Sequence, residues 1–145
     1  MRDDGWSLEA NKESLSIFES KPRMIALVVD DSRAIRRIVG DMLRKLGFDV
    51  HEAAHGLEAL QRLKEIDHPD VLLVDWNMPE MNGIEFIRAV RAQSEYSDVP
   101  IMMVTTETEM ERMAQAFIAG ANEYVMKPFD HETIADKLQI LGVGA

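Results

Sequence analysis

In the stretch Asp70-Val71-Leu72-Leu73-Val74-Asp75-Trp76-Asn77-Met78-Pro79-Glu80-Met81-Asn82-Gly83, an unbroken apolar run meets an acid and then a turn. A short run such as Val71 to Val74 is the pattern of a strand buried on both faces of a parallel sheet. Asp75 follows at once, at the strand's carboxyl end. Met78-Pro79 forces an extended or turning backbone, and Asn82-Gly83 supplies residues that tolerate positive φ, with a helix expected directly after. In open α/β sheets the crevice beyond the carboxyl ends of the strands is where ligands bind. Asp75 therefore stands where a reactive group would stand.

The same alternation extends in both directions. Met24 to Val29 reads as a first buried strand ending in Asp30-Asp31. Arg33 to Leu46 reads as a helix, with Ile35, Ile38, Val39, Met42, Leu43 and Leu46 on one face. Gly40 costs that helix roughly 1 kcal/mol against alanine, and Gly47 stops it. Phe48 to Ala53 is a weaker strand, expected near a sheet edge because His51 and Glu52 interrupt it. Gly56 to Glu65 is a helix carrying Leu57, Leu60 and Leu63. Downstream of the central strand, Ile84 to Gln93 is helical with Phe86, Ile87 and Val90 inward. Ile101 to Val104 forms a fourth strand running into Thr105-Thr106. Glu109 to Ala119 is a helix with Met110, Met113, Ala114, Phe117 and Ile118 on one face. Tyr124 to Met126 is a fifth strand, followed by Lys127-Pro128, and Ile134, Leu138 and Leu141 line a last helix. Five strands alternating with five helices make a (βα)5 unit, a doubly wound α/β domain whose right-handed crossovers require a parallel sheet covered on both sides.

Composition narrows the chemistry. The chain has 145 residues, no cysteine, 46% hydrophobic residues and a formal net charge of −10. It is long enough for one well-buried domain, expected over residues 23–145, with residues 1–22 a polar and mobile N-terminal extension. The lack of cysteine excludes disulfides and Cys-based zinc sites and points to a reducing cytoplasm. No apolar run reaches a membrane span. The acid excess argues against nucleic-acid binding and for proteins or cations as partners. The four histidines show no metal spacing, and Met102, Met103, Met110 and Met113 read as core.

The strand ends carry the function. Asp30-Asp31, Asp75, Thr105 and Lys127 all open on one edge of a parallel sheet, so three carboxylates, a hydroxyl and an ammonium share a crevice. Three uncompensated carboxylates repel each other, and a divalent cation relieves that. Magnesium suits the set, because it takes oxygen ligands and pairs one or two carboxylates with a phosphate. Each residue has a plainer role: Asp31 or Asp75 as a helix cap or turn, Lys127 as a surface ion pair, Thr105 as a strand residue. Their convergence favours a site that brings a phosphoryl group to a carboxylate.

Four segments carry a resemblance: Val28-Val29-Asp30-Asp31-Ser32, Val74-Asp75-Trp76-Asn77-Met78-Pro79-Glu80-Met81-Asn82-Gly83, Met103-Val104-Thr105-Thr106-Glu107 and Tyr124-Val125-Met126-Lys127-Pro128-Phe129. In order and spacing the chain resembles the receiver domains of two-component response regulators, and among them the single-domain, CheY-like chemotaxis regulators, over about residues 23 to 141. Ser32, Thr106 and residues 1–22 depart from that pattern. The resemblance implies the strand order 2-1-3-4-5 of the flavodoxin/CheY-like fold. It implies that Asp75 accepts a phosphoryl group from a histidine kinase. Asp31, Asp75 and the Asn77 carbonyl would ligate Mg2+, with Asp30 acting through a metal-bound water. Thr105 would hydrogen-bond the phosphoryl group, Lys127 would ion-pair with it, and Lys127-Pro128 would be cis. Asn77 and Glu107 would flank the water that hydrolyses the acyl phosphate. Thr105, Tyr124 and Pro128 would act as a switch for a protein target bound on the 109–119 helix, the 124–126 strand and the 134–141 helix. Such a domain is a phosphoacceptor that signals by protein contact, and an enzyme only toward its own phosphorylation and dephosphorylation.

Rival chemistries fit less well. A magnesium-dependent phosphatase or mutase with an Asp nucleophile resembles an Asp-x-Asp pair, but the second position here is Asn77, which leaves no acid for a leaving group. A flavin binder needs a phosphate-cradling loop after the first strand, where Asp30-Asp31 would repel phosphate. A receiver that serves only as a phosphate sink, without its own output, is the other alternative.

Overall fold

The structure, a computed structural model, describes residues 23–144; the expected extension at residues 1–22 lies outside the described residues. The elements are β1 (Met24–Val29), α1 (Arg33–Lys45), β2 (Phe48–Ala53), α2 (Gly56–Glu65), β3 (Val71–Asp75), α3 (Gly83–Arg91), β4 (Ile101–Thr105), α4 (Met113–Ala119), β5 (Glu123–Met126) and α5 (His131–Ile140). Short 3-10 turns occupy Ser94–Tyr96 and Thr108–Arg112. The strands pair in parallel in the order β2-β1-β3-β4-β5, as expected, and β2 lies at an edge. The chain reverses its direction of winding between β1 and β3. That places Asp30 and Asp75 on either side of the topological switch point, where crevices open in such sheets.

Alternation along the strands feeds two cores. Leu27, Val29, Leu72, Val74, Ile101 and Met103 pack with Ala59 and Leu63 of α2, Phe86, Ile87 and Val90 of α3, and Met113 and Ala116 of α4. Ala26, Val28, Val71, Leu73, Met102, Val104 and Val125 pack with Val39 and Leu43 of α1 and Ile134 and Leu138 of α5. β3 is buried along its whole length, so its backbone has little freedom to move the acid at its end.

Local chemistry fixes the helix starts. Ser32 caps α1, accepting from the Ile35 N–H at 3.2 Å, so Asp31 is not its cap. Asn82 caps α3 in a reciprocal arrangement: its side chain accepts from the Glu85 N–H, and the Glu85 carboxylate accepts from the Asn82 N–H. Such a cap is worth about 1 kcal/mol. It also corrects the expected turn, because Asn82 sits at φ −76 and the positive φ falls on Glu80, at 70.

The segment after β4 departs further from expectation. The helix expected from Glu109 begins instead as the Thr108–Arg112 3-10 turn and becomes α-helical only at Met113. The Glu109 N–H donates to the Thr106 carbonyl at 3.0 Å and the Met110 N–H to the Glu107 carbonyl at 3.3 Å, which tightens the turn to three residues. The change of pitch shifts the buried face to Met113 and Ala116, leaving Ala114, Phe117 and Ile118 outward. Ile38 and Leu57, expected inward, are also exposed. Among the described residues, no helix is long and apolar enough to cross a membrane.

Gly83 ties the scaffold to the strand end. Its N–H donates to the Trp76 carbonyl at 2.8 Å, and a Cβ there would run into the Asp75 carbonyl oxygen, with the Trp76 Cα at 3.2 Å. Gly83→Ala should therefore destabilise the chain by about 2–4 kcal/mol, because backbone and not a flexible side chain must move. A urea midpoint unchanged from the native chain would contradict this close approach.

Candidate functional site

The β1 end brings Asp30, buried at 3% exposure, and Asp31, which is exposed. Asp30 Oδ1 accepts from the Ser32 N–H at 2.8 Å, while the Arg36 guanidinium donates to the Asp30 carbonyl at 2.7 Å. The β3 end brings Asp75, at 7% exposure, whose Oδ1 accepts from the Trp76 N–H at 2.8 Å. Carboxylate oxygens of Asp30, Asp31 and Asp75 lie within 4.8 Å of one another, the grouping that the strand ends predicted. No histidine belongs to this cluster.

The β5 end closes the site. Lys127 Nζ stands 3.7 Å from both Asp30 Oδ2 and Asp75 Oδ1. Its N–H donates to the Thr105 carbonyl at 2.6 Å, and the Lys127-Pro128 peptide is cis. Thr105, fully buried at the end of β4, donates its hydroxyl to the Thr106 carbonyl at 3.3 Å. All the candidates at the four strand ends thus meet on one edge of the sheet.

Burial dominates the electrostatics. It raises the Asp75 carboxyl from 3.8 to about 6, with the Asp30 charge adding to the effect and Lys127 and the Trp76 N–H opposing it. Burial likewise raises Asp30, against the Ser32 N–H and Lys127. A single ammonium at 3.7 Å does not balance three carboxylates.

At the rim, Asn77 is exposed, and its amide donates to Glu109 Oε2 at 2.9 Å. Glu107, expected beside Asn77, is exposed on the 3-10 turn's first residue boundary. Glu109 was not anticipated. Nothing in Glu107-Thr108-Glu109-Met110-Glu111 distinguishes its three acids until the 3-10 pitch is known. Tyr124 is half-buried beside Met103, with Lys137 Nζ 4.4 Å from its ring centroid. It lies in β5, the strand paired with β4, which ends in Thr105.

The family model for the response regulator receiver domain matches residues 26–139. The chain belongs to the response regulator receiver domain family. The receiver is 48% identical over 124 residues to a chemotaxis protein CheY homolog of Campylobacter jejuni, covering 84% of this chain and 95% of that protein. It is 44% identical over 119 residues to chemotaxis protein CheY1 of Helicobacter pylori, covering 81% and 96%. The solved structure of chemotaxis response regulator CheY4 of Vibrio cholerae superposes with a TM-score of 0.77 at 42% identity, covering 83% of this receiver and 99% of that chain. Receivers of this family typically use Mg2+ at an acidic pocket, and the residues present fit one. The donors are carboxylate oxygens, they converge within reach of one ion, and the crevice carries an excess of negative charge.

The raised Asp75 pKa has a signed consequence for stability. A carboxyl with a folded pKa above its unfolded value favours the native state when protonated. The cost of ionising it is absent below about pH 3.8 and complete above about pH 6. In metal-free buffer Asp75→Asn should raise stability by about 2–3 kcal/mol at pH 7.5, and the gain should vanish toward pH 4. Chemical denaturation across that range measures it, and a gain independent of pH would contradict the burial argument.

Proposed function

We propose that this receiver accepts a phosphoryl group on Asp75 from the phosphohistidine of a histidine kinase and signals through a phosphorylation-dependent protein contact. The observation that carries the reading is the buried Asp75 carboxylate, set among Asp30, Asp31 and Lys127 at a sheet switch point. An Asp75 oxygen bonds to phosphorus while the donor's P–N bond breaks, the electron pair returning to the imidazole nitrogen. Lys127 balances the charge that arrives, and the Thr105 hydroxyl turns from the Thr106 carbonyl to donate to a phosphoryl oxygen. Asp31, Asp75 and the Asn77 carbonyl would hold Mg2+, with Asp30 acting through a water bound to it. When bound, the ion supplies charge neutralisation at the phosphoryl oxygens. Reversal to rest requires water to attack phosphorus, the acyl P–O bond breaking to return the Asp75 carboxylate and release inorganic phosphate. Asn77 and Glu107 flank that step.

Chemotaxis regulators among the relatives support a role in chemotaxis, with a target bound on the face made by α4, β5 and α5. Exposed apolar side chains occur on each of these elements: Phe117 and Ile118 on α4, Met126 on β5 and Ile140 on α5, at 43%, 85%, 37% and 68% exposure. Apolar side chains in such a group are typical of protein interfaces. We assign the receiver unit to residues 23–145, with residues 1–22 as an extension, and its location to the cytoplasm, where kinase and target would meet it.

Acetyl phosphate with Mg2+ should place one hydroxylamine-sensitive phosphoryl group on the native chain and none on Asp75→Asn. The buried Trp76, beside Asp75, should report both Mg2+ and phosphoryl binding by fluorescence, with the Mg2+ response weakened in Asp31→Asn. Label persisting on Asp75→Asn would place the acceptor elsewhere. The switch has its own readout. On phosphorylation the Tyr124 ring signals should shift in the NMR spectrum of the native chain and stay unmoved in Thr105→Ala, because only the native hydroxyl vacates space for the ring.

A further inference from the structure

Glu109 joins the two loops that flank Asp75. Its Oε2 accepts from Asn77 Nδ2 at 2.9 Å, two residues beyond Asp75, and its Oε1 accepts from the Thr106 N–H at 3.0 Å, next to Thr105. The backbone holds the carboxylate in place, since the Glu109 N–H donates to the Thr106 carbonyl at 3.0 Å. The side chain is half-buried, whereas Glu107 and Glu111 on the same turn are exposed. Its charge is also felt at the acceptor, where it contributes to raising the Asp75 carboxyl.

We propose that Glu109 is a positioning residue for phosphoryl transfer, an anionic strap that holds Asn77 and Thr106 at rest and must release them when a phosphoryl group reaches Asp75. This rests on Asp75 being the phosphoacceptor. A phosphoryl group brings close to two further negative charges to a crevice that already holds three carboxylates. Every donor that Glu109 occupies is withheld from the incoming oxygens. Lys127 approaches Asp30 and Asp75 from the β5 end, so its cation stays with the site while the Glu109 anion on the β4 loop is driven off. Release is readable locally. Arg112 rides on the same 3-10 turn, and its guanidinium lies 5.1 Å from the Trp76 ring centroid. Loss of the strap therefore links the loop that leads into α4 to the chemistry at Asp75.

The test compares rates of phosphorylation of the native chain, Glu109→Gln and Glu109→Ala, with Mg2+ and either acetyl phosphate or phosphoramidate, read by Trp76 fluorescence and by phosphoryl incorporation. With acetyl phosphate an Asp75 oxygen bonds to phosphorus as the bridging P–O bond breaks, and acetate leaves with the electron pair. With phosphoramidate the P–N bond breaks, and the nitrogen leaves as ammonia after taking up a proton. Both variants should react faster with acetyl phosphate, by roughly two- to fivefold, the size of one partly exposed charge interaction acting on the barrier. The acceleration should be smaller with phosphoramidate, which carries less negative charge at neutral pH, and should shrink as salt is raised. Glu109→Gln keeps the side chain's shape and one acceptor, so it separates the charge effect from any loosening of the turn in Glu109→Ala. Unchanged rates, slower rates, or equal acceleration with both donors would overturn the strap while leaving Asp75 as acceptor. A native chain labelled by neither donor would overturn both readings.

Discussion

Three carboxylates and one ammonium share a crevice in which Asp30 and Asp75 are buried while Asp31 is exposed, and their formal sum is −2. Asp30 and Asp75 cannot relax apart, because each ends a strand packed between two helical layers. The backbone offers each a single N–H, from Ser32 and Trp76. That supply of donors suffices to hold the carboxylates in place and leaves their repulsion largely unrelieved. The site thus carries an excess of negative charge that Lys127 alone does not balance. Burial makes the arrangement effective, since charges interact far more strongly in such a crevice than in water.

The scaffold's task is to keep this strained set of charges in register. β3 achieves it by being buried along its length, and α3 by starting so close to Asp75 that only glycine fits at position 83. The capping box of Asn82 and Glu85 anchors that start independently of the core. The acid is thus held from below by apolar packing and from the side by the backbone. Lys127 is held from β5, its peptide bonded to the end of β4. Rigid strand ends combined with adjustable loops suit a domain that must bind one group and report it.

The segment after β4 is the one that departs from regular helix. A 3-10 turn is less stable than α-helix and seldom long, so Thr108–Arg112 is a natural place for rearrangement. It carries Glu109 toward Asp75 and leads directly into α4, whose Phe117 and Ile118 face outward. The half-buried Tyr124 sits on the neighbouring strand. The turn lies between the β4 strand end and α4 in the chain.

By itself the sequence determined the elements and the chemistry at their ends. Buried parallel strands are written as continuous apolar runs, and each run ends in a residue whose type is unrelated to packing: Asp30, Asp75, Thr105, Lys127. Parallel winding then forces those ends onto one edge, so the site was legible before any coordinates. The sequence did not reveal where local pitch overrides periodicity. An apolar face counted at 100° per residue places Phe117 and Ile118 inward, but the hydrogen bonds of the 3-10 turn change the phase and turn them out. Nor did it tell that Ser32, and not Asp31, caps α1, or that positive φ falls on Glu80. Which of three neighbouring glutamates reaches Asn77 was equally hidden. These depend on hydrogen bonds between segments such as Asn77 and Glu109, 32 residues apart, and only the assembled sheet brings such groups within reach.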